Sequence, residues 1–294
     1  MKKIYLAFLL IFLNIALKAQ KIPEIQATAL SAPANIRIDG KATEWGEGFA
    51  ADNKRTSLLY TLSNDDKNLY LAIKGIGSAN INKIMLGGIT FNVNLEGKKK
   101  EKESLSITYP LVKRAPRGQG GGRQGAGGAQ RGGFGGAAGG GQNRVQLTTA
   151  QRDSASLVNH KTQLATVKEI KVAGFKSITD SLISIYNEYG IKAAASFDDK
   201  GSMICELAIP LSLLDLPVGK QKELAYQIKV NGLVMAGFGG AGGGGGQAGR
   251  GGQGGGGNFG GGGNFGGGQG GGGNNMQDIM SPTDFWGKYT IIKK

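Results

Sequence analysis

Of 294 residues, 54 are glycine, and most of these sit in two blocks with too little apolar side chain to build a core. The remainder suits one sandwich-sized domain rather than two. The formal net charge of +14 suggests an anionic partner, but nine of those charges lie outside the predicted core: Lys2, Lys3 and Lys18 near the start, and Arg114, Arg117, Arg123, Arg131, Arg144 and Arg250 in the glycine-rich stretches. A single cysteine, Cys205, excludes an intramolecular disulfide and reads as a small buried hydrophobe in the run Met203–Leu207.

Residues 1–19 have the form of an export signal. Met1-Lys2-Lys3 is a positive start, Ile4–Leu13 an apolar run, and Ala19 a small residue before Gln20. Asn14 and Lys18 limit the apolar run to roughly 14 residues, short of the ~20 needed to cross a bilayer. After cleavage no transmembrane segment is expected, and the location is periplasmic, cell-surface or extracellular. Residues 20–34, with Pro23 and Pro33, form an extended lead-in to a single domain over residues 35–294.

Within Asn35–Phe49, Ile36 and Ile38 predict a short strand, Asp39-Gly40 a tight turn, and Trp45 follows. Leu58, Tyr60 and Leu62 alternate with Leu59 and Thr61. The turn Asn64–Asn68 and the alternation Leu69, Leu71, Ile73 then complete a hairpin. Ile89–Leu95 and Leu105–Tyr109 continue the period of two, which marks antiparallel strands with one buried face. Residues 117–142 are glycine with arginine, glutamine and alanine, a composition that predicts a disordered insertion. Leu147–Val167 predicts a helix or a partly ordered arm, with Thr148 and Thr149 as candidate caps. Strands resume at Glu169–Val172, Ser181–Tyr186, Ile191–Phe197 and Met203–Ile209. Pro210 ends the last of these, and Leu211–Leu214 offers at most one helical turn. Leu224–Asn231 is a further strand, residues 237–275 a second disordered Gly-rich insertion, and Asp284–Ile292 the closing strand.

Four pieces of this chain resemble bacterial family 9-like carbohydrate-binding domains, whose sandwich is related to the DOMON group. They are Ile36–Gly40 with Glu44-Trp45, the hairpin Asn64–Ile73, the segment Glu206–Leu211, and Asp284–Gly287. The resemblance covers most of residues 34–294 outside the glycine blocks. It implies an all-β fold, an antiparallel immunoglobulin-like or jelly-roll-type β-sandwich carrying the two Gly-rich insertions. It also implies a non-catalytic module for carbohydrate or cell-surface glycan. The alternative from composition is a structural protein of the envelope or matrix, whose glycine-rich loops self-associate or bind anionic polymer.

Candidate ligand contacts are Trp45 and Trp286, whose flat rings suit the apolar face of a sugar, against a packing role for both. Tyr70 faces away from Leu69 and Leu71 and is expected to be exposed. His160, the only histidine, offers one axial ligand at best where the DOMON relatives bind haem through Met and His, so no cofactor is expected. The shortage of His and Cys argues against zinc, and Asp65-Asp66 and Asp198-Asp199 read as turns, so no metal is expected. No serine, histidine and acid set can be placed, which argues against an enzyme. The glycine runs lack a following Gly-Lys-Ser/Thr and are not phosphate loops. Gln130–Gly136 resembles an arginine–glycine–glycine segment, but with a leader present no nucleic-acid partner is expected.

Overall fold

The computed structural model describes residues 22–46, 48–113, 148–216, 222–233 and 278–292. The predicted leader and both predicted Gly-rich insertions lie outside the described residues.

Two six-stranded sheets share one core. The first, sheet A, is built from β1 (Leu30–Ser31), β2 (Ala51–Asn53), β3 (Leu58–Asn64), β4 (Asn68–Gly75), β9 (Lys192–Phe197) and β10 (Met203–Pro210). Its order is β1-β3-β4-β10-β9, with β2 also pairing β3. Sheet B contains β5 (Ile89–Asn94), β6 (Leu105–Tyr109), β7 (Glu169–Ala173), β8 (Leu182–Ser184), β11 (Glu223–Val230) and β12 (Thr283–Thr290), in the order β12-β11-β5-β6-β7-β8. Among the described residues, all pairings are antiparallel except the short parallel β1–β3 contact.

The alternation read from the sequence sorts the side chains as expected. Leu58, Tyr60 and Leu62 of β3, Leu69, Leu71 and Ile73 of β4, and Cys205, Leu207 and Ile209 of β10 meet Phe91, Val93, Leu224, Tyr226, Ile228 and Phe285 from sheet B in one buried cluster. Each large apolar side chain fully buried there contributes roughly 1.5–3 kcal/mol. The two sheets are also tied by a polar link, the Tyr60 and Tyr226 hydroxyls at 2.8 Å. Tyr60 additionally accepts the Gln26 N–H at 2.9 Å, so the pair is satisfied inside the core.

Two elements differ from the sequence reading. Ile36 and Ile38 lie in irregular backbone instead of a strand. Asn35 takes left-handed backbone (φ 59°), and Asp39 and Gly40 give their N–H groups to the Glu206 side chain, leaving those donors none for a ladder. Residues 32–46 instead form a strap across the outer face of sheet A. There Ile36, Ile38 and Trp45 pack on Ala32, Tyr70 and Ala208. Consequently the outer face of sheet A is not solvated as the one-buried-face pattern predicts: Ser63, Ala72 and Glu206 are all buried. An unexpected helix, α1 (Ser78–Gly87), follows β4. Of the two forms expected for Leu147–Val167, the structure has the helix, α2 (Thr149–Ala165), capped by Thr148 and Gln151 in reciprocal hydrogen bonds. None of these helices is long and apolar enough to cross a membrane.

Candidate functional site

Trp45 and Tyr70 belong to one cluster on the outer face of sheet A. Tyr70 does face away from the core, as the alternation requires, but it is 8% exposed, which corrects the expectation of an accessible ring. The strap lies over it. Its hydroxyl donates to Asp65 Oδ2 at 2.8 Å and accepts from Asn68 Nδ2 at 3.1 Å, so its polar end is committed to the hairpin turn. Trp45 closes a 3-10 turn (Thr43–Trp45) and is half-buried, its ring set edge-on to Tyr70 at 6.2 Å. The indole N–H donates to Glu206 Oε1 at 2.8 Å, while Glu206 Oε2 accepts from Asp39 N at 3.1 Å and Gly40 N at 2.7 Å. Burial pushes the Glu206 carboxyl above the ordinary glutamate range, against the opposing pull of these three donors. Gly40 is required where it is: its φ is 81°, and a Cβ there would press on the Ala195 and Ser196 backbone. The cluster latches the strap to the sheet.

Trp286 stands elsewhere. Phe285 and Tyr289 of β12 enter the core, so Trp286 between them points to the outer face of sheet B, where it is half-buried. Its cross-strand neighbour Gln227 accepts from Asn92 Nδ2 at 2.6 Å and donates to Asp284 Oδ2 at 2.8 Å. The two tryptophans therefore sit on opposite outer faces of the two-sheet stack and cannot close on one ligand.

Among the described residues, two concave surfaces lie at one end of the sheets, around α1. Gly75 is paired there with Met203 and with Leu58, and across the core Ile89, Tyr109, Val230 and Thr283 lie in one row over four strands. Asn231 N donates to Gly88 O at 3.0 Å, and Leu233 N to Ile279 O at 2.9 Å. Between the start of α1, one side of α2 and the β9–β10 turn is an open cleft of about 400 Å³. Its apolar lining is Ile81, Leu157 and Phe197, and its polar rim includes Asp153, Ser156 and Asp199. The His160 ring stacks on Phe197 with centroids 6.1 Å apart, and burial holds its pKa below the ordinary histidine range, leaving a neutral imidazole that can both donate and accept. Asp198 holds the turn by accepting from Lys200 N at 3.0 Å and Ser202 N at 2.7 Å, and it pairs with Lys74 at 2.7 Å.

The sequence drew attention to His160 and Asp198-Asp199 only as poor metal or haem ligands. The fold brings them to one cleft through elements far apart in the chain, a juxtaposition with no local motif. Among the described residues no group of three or more His, Cys, Asp or Glu side chains is placed to hold a metal ion. Cys205 is buried in the core, and burial pushes its thiol up to about 12.

Comparison with protein-family models, with curated proteins and with solved structures gives no match.

Proposed function

We propose that the chain is an exported, non-catalytic module that binds carbohydrate at the cell envelope, on an immunoglobulin-like or jelly-roll-type sandwich of the family 9-like group. The observation that carries this reading is the cleft beside α1. A sugar offers hydroxyls around its edge and C–H groups on its faces. The cleft meets both, with carboxylate, hydroxyl and imidazole groups on the rim and Ile81, Leu157 and Phe197 beneath. The ligand site of this reading is therefore the α1 end of the sheets. Trp45 becomes a structural residue, and Trp286 a separate surface aromatic.

The test is a glycan array and polysaccharide pull-down with the mature chain, beside a variant lacking residues 117–142 and 237–275 and the variant Asp199→Ala. Saturable binding should survive the deletion and high salt, and should weaken about ten-fold in Asp199→Ala, as for the loss of a charge-assisted hydrogen bond. Binding that disappears with the deletion would favour assembly through the glycine-rich segments. No binding to any glycan would sink the carbohydrate reading.

A further inference from the structure

A second cavity, of about 320 Å³, opens on the other flank of α1, between the β2–β3 turn and the start of β12. Its charged groups are Arg55, Lys83 and Asp278, and Ser57, Ser281 and Thr283 add hydroxyls. Lys83 is the unusual member. It is only 7% exposed, whereas lysine is almost never buried without a paired charge. Its ammonium donates to Thr283 Oγ1 at 3.2 Å, one bond for three protons, and among the described residues it makes no ion pair. Burial lowers its pKa, with Asp278 opposing through space. One carboxylate against two cations leaves the cavity with a positive excess.

The turn that carries Arg55 is held in shape before any ligand arrives. Asn53 Oδ1 accepts from Thr56 N at 3.1 Å and from Thr56 Oγ1 at 2.9 Å, and Asn53 Nδ2 donates to Glu24 O at 3.1 Å. Asn80 of α1 donates to Ser57 O at 2.9 Å, tying the same turn to the helix that bears Lys83. Such pre-organisation lowers the cost of binding. An oxyanion between Arg55 and Lys83 would take a forked guanidinium contact, spare ammonium protons and hydroxyl donors.

We propose that this cavity is a binding site for an oxyanion, a sulfate or carboxylate group, either free or carried on a larger ligand. The site is independent of the cleft between α1 and α2, and stands whether or not that cleft takes sugar.

The experiment uses the full chain. Thermal unfolding is followed while chloride is replaced by inorganic sulfate at constant ionic strength, in wild type, Arg55→Gln, Lys83→Met and the control Lys98→Gln. Stabilisation by a ligand rises as the logarithm of its concentration over Kd, which gives Kd for each form. Wild type and the control should share one Kd, and both cavity variants should show a rise of at least ten-fold. Arg55 is exposed, so Arg55→Gln remains informative even if Lys83→Met fails to fold. Sulfate also stabilises proteins generally by exclusion from their surfaces. An equal effect in wild type and Arg55→Gln, or no effect in wild type, would overturn the site. Retention on immobilised dextran sulfate but not dextran, lost in Arg55→Gln, identifies a carried oxyanion. A response to the free ion alone identifies a small-anion site.

Discussion

Glu206 shows how much of this structure depends on single polar groups. It is fully buried on the outer face of sheet A, and each of its oxygens has a donor from the strap. Removing one donor leaves a buried carboxylate oxygen without its partner, which costs about 1–3 kcal/mol. Trp45→Phe removes the indole N–H while keeping an aromatic ring beside Tyr70. A loss of that size in chemical or thermal unfolding is expected, with no change in the glycan binding proposed for the cleft. A ligand contact at Trp45 would give the reverse, an altered Kd with little change in stability. The same residue illustrates the ambiguity of a tryptophan in sequence: a ring that could stack on a sugar here spends its polar atom on the fold.

At the scale of elements, β12 closes sheet B and depends on the absence of a side chain at Gly287. The Tyr226 ring occupies the space above it, fixed by its hydroxyl contact to Tyr60, and a Cβ at Gly287 would overlap the ring carbon Cζ and the hydroxyl. Gly287→Ala should cost about 1–3 kcal/mol by overpacking, read as a lower unfolding midpoint in denaturant with an unchanged slope. The strands around this point were legible because large apolar residues recur at every second position, in Leu58–Leu62, Leu69–Ile73 and Leu224–Val230. The strap was misread for an instructive reason. Ile36 and Ile38 alternate because they cover a sheet face, and alternation reports a buried face without saying whether the backbone has a ladder partner. Helix α1 was not legible because it is short and starts at Gly77 without a side-chain cap. It is held by burying Ile81, Ile84 and Met85 in the shared core, so its stability is tertiary. The cleft and the Arg55–Lys83 cavity depend on α1, and so neither could be read from local motifs.

Across the whole molecule, ionisable groups in different layers make opposing contributions to stability as pH changes. His160, in the α2 cleft, has a folded pKa below its ordinary 6.5 because of burial. Well above pH 6.5 neither state holds that proton and stability is flat. As pH falls through 6.5 the unfolded chain binds a proton that the folded chain refuses, and stability declines until the lower folded value is reached. Glu206, under the strap, acts with the opposite sign. Its folded pKa lies above the ordinary 4.5 because of burial, so between 4.5 and that raised value the folded chain holds a proton the unfolded chain has released, and acidification there is stabilising. Asp198 enters only lower still. Burial pushes its carboxyl up, but its bonds with Lys74, Ser202 and Lys200 more than offset this and hold it below 3.8. A single acid-unfolding curve mixes these contributions, whereas the difference between wild type and His160→Gln isolates the first. Denaturant unfolding at pH 7.5, 6.5 and 5.5 should show wild type losing stability relative to His160→Gln only below about pH 6.5. Parallel curves over that interval would mean that the imidazole is as well solvated in the folded chain as in the unfolded one. The cleft would then lack the desolvated histidine that the proposed sugar site invokes.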